Sequence, residues 1–435
     1  MRLSIEGTLV RALAITVAPL AFIAMVVTGV NAGGATTIRL ETFQAAKVVI
    51  GQPNFTGDGS NDTAKTVDYP YGSASEGGGI LFVPDWGNAR VLGFKGIPSH
   101  NGAKAKFVLG QSSLTSDSTG DGADQMVSPY SVVAYNGGLG GGDNLGSSNG
   151  QLFVADFGNN RVLIWNKIPK KTATPADIVL GQTEFGANGA SCGPSGMNSP
   201  ETVSVAGGKL VVSDSYNFRV LIWNSIPTAN GAPADLVLGQ QNLSTCVSDN
   251  NGSGVSTGSP SVSDLGLPAG VWTDGTRLAV ADYPNFRVLI WNTFPTTDYQ
   301  AADIVLGQPD FTSAAPDNNG SGASDSPSAQ NFGGVYDGLF SNGTQLFVGD
   351  WANSRVMVWN AFPTSDFQAA DLVLGQPNFT CGVQNSATDG SCTEDANPNA
   401  QGFNNLEGIA QIGEKLIVTD QVNNRFMIFN QAPKK

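Results

Sequence analysis

The chain has 435 residues, of which only 13% are charged, with a formal net charge of −14 and a single histidine. An acidic chain without a basic run repels nucleic acid and anionic lipid, so neither is expected as a partner. One histidine cannot build a His-rich zinc centre, and abundant Gly, Ser, Asn, Thr and Asp between short Val, Leu and Ile runs suit an all-β exported protein.

Reading from the N-terminus, Arg2 and Arg11 precede a nearly continuous apolar run over residues 12–30, followed by the compact residues Val30, Asn31 and Ala32. This is the pattern of a secretory signal peptide over residues 1–32, cleaved before Gly33. An uncleaved anchor is the alternative, since nineteen such residues just span a bilayer. Cleavage implies a secreted protein, extracellular or periplasmic, with no membrane insertion afterwards. Removal of two Arg and one Glu leaves a net charge of −15. Residues 33–44 are expected to be a linker, and residues 45–435 one domain.

Residues 47–52 form a lone apolar strand ending in Ile50-Gly51-Gln52. Val-(Leu/Ile)-Gly-Gln, or its close relative, recurs to end at Gln111, Gln182, Gln240, Gln308 and Gln376. In phase with it, an Asp-x-x-Asn-x-Arg turn follows a short apolar run six times. The six sets are Asp85/Asn88/Arg90, Asp156/Asn159/Arg161, Asp214/Asn217/Arg219, Asp282/Asn285/Arg287, Asp350/Asn353/Arg355 and Asp420/Asn423/Arg425. Two motifs repeating together over roughly 60–70 residues mark a repeat architecture.

Around Asp282, strands are expected at residues 267–272, 278–281, 288–291 and 304–306, with Asp274-Gly275 as a hairpin turn and Phe294-Pro295 as a break. Four short antiparallel strands make one propeller blade. Runs such as Val162-Leu163-Ile164-Trp165 are apolar at every position, which means burial on both faces, as between neighbouring blades. Trp165, Trp223, Trp291 and Trp359, with Phe94 and Phe429, recur at the end of this strand and are expected to be inter-blade core. The last unit lacks its outer strand and the first is preceded by a spare one. The expected fold is therefore an all-β six-bladed β-propeller of four-stranded antiparallel blades, its N-terminal strand closing the last blade.

Cys192, Cys246, Cys381 and Cys392 read as two disulfides in an exported chain. Cys381 and Cys392 share one loop and are the natural first pair, which leaves Cys192 with Cys246. Four cysteines allow three pairings, and the sequence leaves the others open.

The Asp-x-x-Asn-x-Arg turn ahead of an apolar strand, as in Asp156-Phe157-Gly158-Asn159-Asn160-Arg161, resembles the NHL-repeat β-propellers over about residues 45–433. The resemblance implies the fold. It implies less about activity, because that family includes binding modules, scaffolds and a few metal-dependent lyases.

Because every blade carries the Asp/Asn/Arg set, these residues are expected to hold turns together, the acid and amide capping backbone N–H groups and the Arg pairing with the Asp. His100 falls on a connection at the opposite face. Gly189-Ala190-Ser191-Cys192-Gly193 matches Gly-x-Ser-x-Gly only as a string, and the glycine run over residues 137–146 is expected to be a flexible hairpin insertion in blade two. No catalytic set is therefore expected.

Positions that break the repeat are the better candidates. Alignment of the inner strands on Pro70, Pro129, Pro200, Pro268, Phe332 and Leu406 places Tyr71, Tyr130, Glu201, Ala269, Gly333 and Glu407 at the next position. Tyr71, Tyr130, Glu201 and Glu407 are the expected ligand-binding residues at the channel mouth. The loops after Gln240, Gln308 and Gln376 are also longer than the first three, and two contain Asp249-Asn250-Asn251-Gly252 and Asp317-Asn318-Asn319-Gly320. Their oxygens suit Ca²⁺ but not the regular spacing of a calcium loop, so no cofactor is expected beyond that ion. The leading expectation is a monomeric, non-catalytic module that binds a protein or glycan through the long-loop face. The alternative is a Ca²⁺-dependent lactonase- or lyase-like enzyme working at the channel mouth.

Overall fold

The computed structural model describes residues 36–137 and 150–434. Both the signal-peptide reading and most of the glycine-rich hairpin of blade two lie outside the described residues.

Among the described residues there are six four-stranded antiparallel sheets arranged as the blades of a propeller. Blade three shows the plan: an inner strand Pro200–Ala206, a second strand Lys209–Asp214, a third Arg219–Trp223 and an outer Leu236–Leu238. The outer strand of blade six is Val48–Ile50, which pairs antiparallel with Arg425–Asn430. The ring thus closes with the N-terminal strand, and its closure pairs an edge that an open array would expose.

The third strands are buried at every position from Arg to Trp in blades two to five, as their unbroken apolar sequences require. The recurrent tryptophans are core and also fix a loop. The indole N–H of Trp165, Trp223, Trp291 and Trp359 donates to the carbonyls of Thr174, Ala232, Gln300 and Gln368 respectively. Around the axis, Ser and Thr hydroxyls serve backbone groups of the inner strands. Ser131 Oγ accepts from Val203 N, Thr202 Oγ1 from Val271 N and Ser73 Oγ from Ile409 N. Buried backbone donors thereby find partners where neighbouring blades do not form a continuous sheet.

The Asp/Asn/Arg sets are structural, but two details differ from the sequence reading. Only the Asn of each set lies within the turn. The acids Asp85, Asp156, Asp214, Asp282, Asp350 and Asp420 end the second strands. Arg90, Arg161, Arg219, Arg287, Arg355 and Arg425 open the third strands, each directly opposite its Asp in the ladder. That pairing is why each Arg makes a fully buried ion pair with its Asp, at 2.6–2.9 Å.

The second correction concerns the amides. The acids do accept backbone N–H groups, as Asp214 does from Asn198 N. The amides instead donate. Nδ2 of Asn88, Asn159, Asn217, Asn285, Asn353 and Asn423 is directed at the Asp of its own set. The same group also reaches an oxygen on the incoming loop. For Asn88, Asn159 and Asn217 that oxygen is a backbone carbonyl, of Asn61, Gly120 and Ser191. For Asn285, Asn353 and Asn423 it belongs to a side chain, of Asp249, Asp317 and Asn385. A buried carboxylate with one Arg beside it has oxygen lone pairs left over, and an NH₂ donor satisfies them where an amide oxygen could not.

The remaining N–H groups of each Arg tie down loops on the same face. Arg219 donates to Leu243 O on the outgoing loop and to Gly193 O and Gly196 O on the incoming one. Arg90 reaches Leu114 O and Thr63 O in the same manner, Arg287 reaches Phe311 O and Asp264 O, and Arg355 reaches Phe379 O and Asn331 O. The Gln of the second motif pins the end of the outer strand, as Gln240 Nε2 donates to Phe218 O and Val247 O. The preceding glycine is needed because the backbone there is left-handed (Gly307 φ +86°) and an added Cβ would lie 2.1 Å from Phe332.

Two disulfides, Cys192–Cys246 and Cys381–Cys392, are present, and both sit in loops of the face carrying the turns. They indicate an oxidising, extracellular-type setting. Residues 36–44 lie against blades five and six: Gln345 Oε1 accepts from Ile38 N and Gln345 Nε2 donates to Ile38 O.

Candidate functional site at the channel mouth

The register within each blade decides which side chains reach the axis. Pro129, Pro200, Pro268 and Leu406 each pair with the Asp of the turn, and a bulge follows. This brings the start of the inner strand to the face of the turns. Tyr71, Tyr130, Glu201 and Glu407 therefore lie together at one end of the channel.

Blade five departs from the sequence alignment. The residue paired with Asp350 is Val335, not Phe332, and the bulge before Leu339 holds one residue more than the bulges of its neighbours. The position assigned to Gly333 thus belongs to Asp337, with Tyr336 as the inserted residue. Phe332 instead occupies the place of Leu265 and Phe403, buried three residues before the strand begins and packed against the glycine of the preceding motif. Gly333 N merely donates to Asp350 Oδ1.

The corrected ring contains three carboxylic acids: Glu201 from blade three, Asp337 from blade five and Glu407 from blade six. They are 0%, 2% and 1% exposed. Tyr336 reaches from blade five to blade three, its hydroxyl 3.4 Å from Glu201 Oε1. Burial raises all three acids well above the ordinary carboxylate range, and Asp337 raises both glutamates further by repulsion. Burial and the negative field of these acids likewise raise the phenols of Tyr71, Tyr130 and Tyr336, which remain protonated donors.

Aromatic rings surround the acids. Tyr71 stacks on Tyr130 at 4.4 Å between centroids, and Tyr130 on Phe157 at 4.8 Å. Trp86 and Tyr69 extend this arc on one side and Tyr216 on the other. A second arc joins Tyr336, Tyr283 and Trp351. Tyr69 and Tyr216 are 39% and 47% exposed, so the rim is open to solvent above the buried acids. Trp86, Phe157, Ser215, Tyr283, Trp351 and Gln421 all follow the Asp of a turn. Reading the turn only as a repeated frame missed this position. Its side-by-side comparison across the six copies, four of them aromatic, was the signal available.

The other sequence candidates lie elsewhere. None of the six Asp/Asn/Arg sets reaches the channel mouth with a free group, because their side chains are buried and engaged with one another. His100 is exposed with its ring beside Asn101 O. In the long loops, Asp249 and Asp317 accept from Asn285 and Asn353 of the turns, at 3.0 and 2.8 Å, and burial raises both to about 6. Asn250 and Asn318 are wholly buried and donate to Gln240 and Gln308. Two insertions therefore seat on the frame in the same way. Among the described residues no three Asp, Glu, His or Cys groups converge closely enough to hold a metal ion.

No family model matches the chain, and no curated protein matches it. Among solved structures, that of the computationally designed Ika8 protein, crystal packing No. 1 in P63, is similar at a TM-score of 0.38 and 8% identity, over 89% of this chain and 100% of that one. A likeness so distant says nothing about function.

Proposed function

We propose that this chain is an exported propeller of the NHL type that works as a non-catalytic binding module, taking a protein or glycan on the face of the turns and long loops. The observation that carries the reading is the half-exposed aromatic rim, centred on that face and continuous with buried acids beneath. Rings exposed around a polar depression give apolar contact area with little side-chain entropy to lose, the usual make-up of a recognition surface. The disulfides at Cys192 and Cys381 fit the same use, since both stiffen loops beside that rim.

The test is to probe peptide and glycan arrays with the purified protein, with Tyr69→Ala/Tyr216→Ala, and with variants shortened in loops 241–267 or 377–405. Signals lost in these variants, with β-sheet circular dichroism unchanged, support the reading. Equal signals in all of them contradict it.

The unpartnered acids also favour a second reading, a Ca²⁺-dependent lactonase- or lyase-like enzyme with Glu201 and Glu407 as ligands. Among the described residues no three such groups come close enough to hold a metal ion, and this ranks the second reading below the first.

A further inference from the structure

Blade one, whose third strand is Arg90–Lys95, departs from its neighbours where that strand leaves for the outer one. In blades two to five the third strand ends in Trp-Asn, and an Asp follows just before the outer strand. Asp177, Asp235, Asp303 and Asp371 accept from the backbone N–H groups of Asn166, Asn224, Asn292 and Asn360 at 2.7–2.8 Å. Blade one keeps the spacing, but Lys95 stands for the Asn and Lys106 for the Asp. A lysine has no acceptor and cannot make that bond. Lys104 stands where the other four blades have Pro or Ala, and Phe94 where they have Trp. Lys65 comes from the incoming loop, next to Ala64, whose carbonyl accepts from Ala105 N. The matching bonds of blades two to five put Asp124, Ser195, Ser263 and Gln330 at its position. Blade six repeats only one of these replacements, with Lys47 at the Asp position.

Lys65, Lys95, Lys104, Lys106 and His100 line one open depression of about 430 Å³, with Phe94 in its wall and no acid in its lining. All five are exposed, and none of the four lysines enters an ion pair among the described residues. The chain as a whole carries −14, so the depression is a local reversal of sign. Ammonium groups side by side without counter-charges repel one another, and a bound anion relieves that repulsion. Being compact point charges, they favour an anion whose own charge is concentrated on a few oxygens. A long polyanion would also meet the acidic remainder of the surface, which repels it. We infer that this depression is a second binding site, and that it takes a divalent oxyanion, a phosphate or sulfate group, free or carried on a small sugar. It lies where the third strand ends, on the face away from the turns, and does not rest on the reading of the aromatic rim.

The test is calorimetry on the untagged protein at low salt, with sodium sulfate, sodium phosphate, sodium chloride at matched ionic strength, galactose 6-sulfate and a short DNA duplex. His100 is the one histidine of the chain, so its ring C–H resonances in an NMR titration report on this depression alone. Expected is saturable binding of sulfate and phosphate that shifts those resonances, with chloride about tenfold weaker or more. Lys95→Asn/Lys106→Asp returns blade one to the pattern of its neighbours and should weaken sulfate about tenfold, the fold-change of two exposed ion pairs. Lys167→Ala/Lys170→Ala/Lys171→Ala in blade two changes the net charge by the same amount and should leave sulfate binding as it was. Galactose 6-sulfate bound more tightly than sulfate assigns the anion to a sugar ester, and equal or weaker binding assigns it to the free ion; either supports the site. Chloride equal to sulfate, equal effects of the two lysine variants, or DNA bound more tightly than sulfate would each overturn it. Should Lys95→Asn/Lys106→Asp fail to fold, Lys65→Ala/Lys104→Ala, at two exposed positions, must show the loss, and unchanged binding there overturns the site as well.

Discussion

Arg219 shows what a repeated residue does in this molecule. It is fully buried, pairs with Asp214 at 2.7 Å, and directs its other donors at three loop carbonyls. Arg219→Ala leaves Asp214 buried without its cation and frees two loops, a loss of about 3–5 kcal/mol by the usual cost of breaking a buried pair. Urea unfolding at neutral pH would measure it; a loss below about 1 kcal/mol, the size of a surface pair, would contradict the buried role. Gly307→Ala is expected to destabilise as well, by about 1–3 kcal/mol, since the new methyl group meets the Phe332 ring in a left-handed backbone. The same unfolding curve tests it. Glu201, Asp337 and Glu407 behave in the opposite sense, because the fold buries them without a cation beside them.

At the scale of elements, the disulfides make a graded prediction. Cys192–Cys246 spans 54 residues of sequence and Cys381–Cys392 spans 11. Loop-closure entropy then assigns about 4 kcal/mol to the first and about 3 kcal/mol to the second. Double Cys→Ser variants compared by thermal melting should rank in that order, and the reverse order would point to native-state contacts as the larger effect. The bulge of blade five is the other informative element. Sequence made four of the ring residues legible, because Tyr71, Tyr130, Glu201 and Glu407 interrupt a repeat that is otherwise regular. Asp337 stayed hidden for a physical reason: an inserted residue, Tyr336, shifts blade five. Phe332 also imitates a strand start while serving as the hydrophobe packed on Gly307. The aromatic residues after four of the six turn Asp residues were hidden differently, being part of a motif whose other members are structural. Within that motif the pairing of Asp with Arg was legible from charge alone. The direction of the amides was not, since an Asn side chain both donates and accepts, and only the loop oxygens beside Asn88 or Asn423 decide which.

For the whole molecule, blade number, strand order and closure were legible because two motifs recur in phase and the chain supplies one spare outer strand at its start. A variant lacking residues 45–52 should lose the pairing of Val48–Ile50 with the last blade. Its calorimetric melt is expected to broaden and fall, since the edge of blade six is then unpaired; an unchanged sharp transition would argue against closure by this strand. The central claim is that the closed ring gathers three acids on its axis and leaves them uncompensated. Their raised pKa values mean that the native state holds protons the unfolded chain has released, so stability falls as pH rises through the ordinary carboxylate range toward the raised native values. The most direct measurement is the melting temperature as a function of pH for the natural chain and for Glu201→Gln/Asp337→Asn/Glu407→Gln. The two curves should meet in acid and separate toward alkaline pH, with the variant the more stable by at least about 2 kcal/mol, the cost of unpartnered buried carboxylates. Parallel curves, or a variant less stable at every pH, would contradict an uncompensated acidic cup.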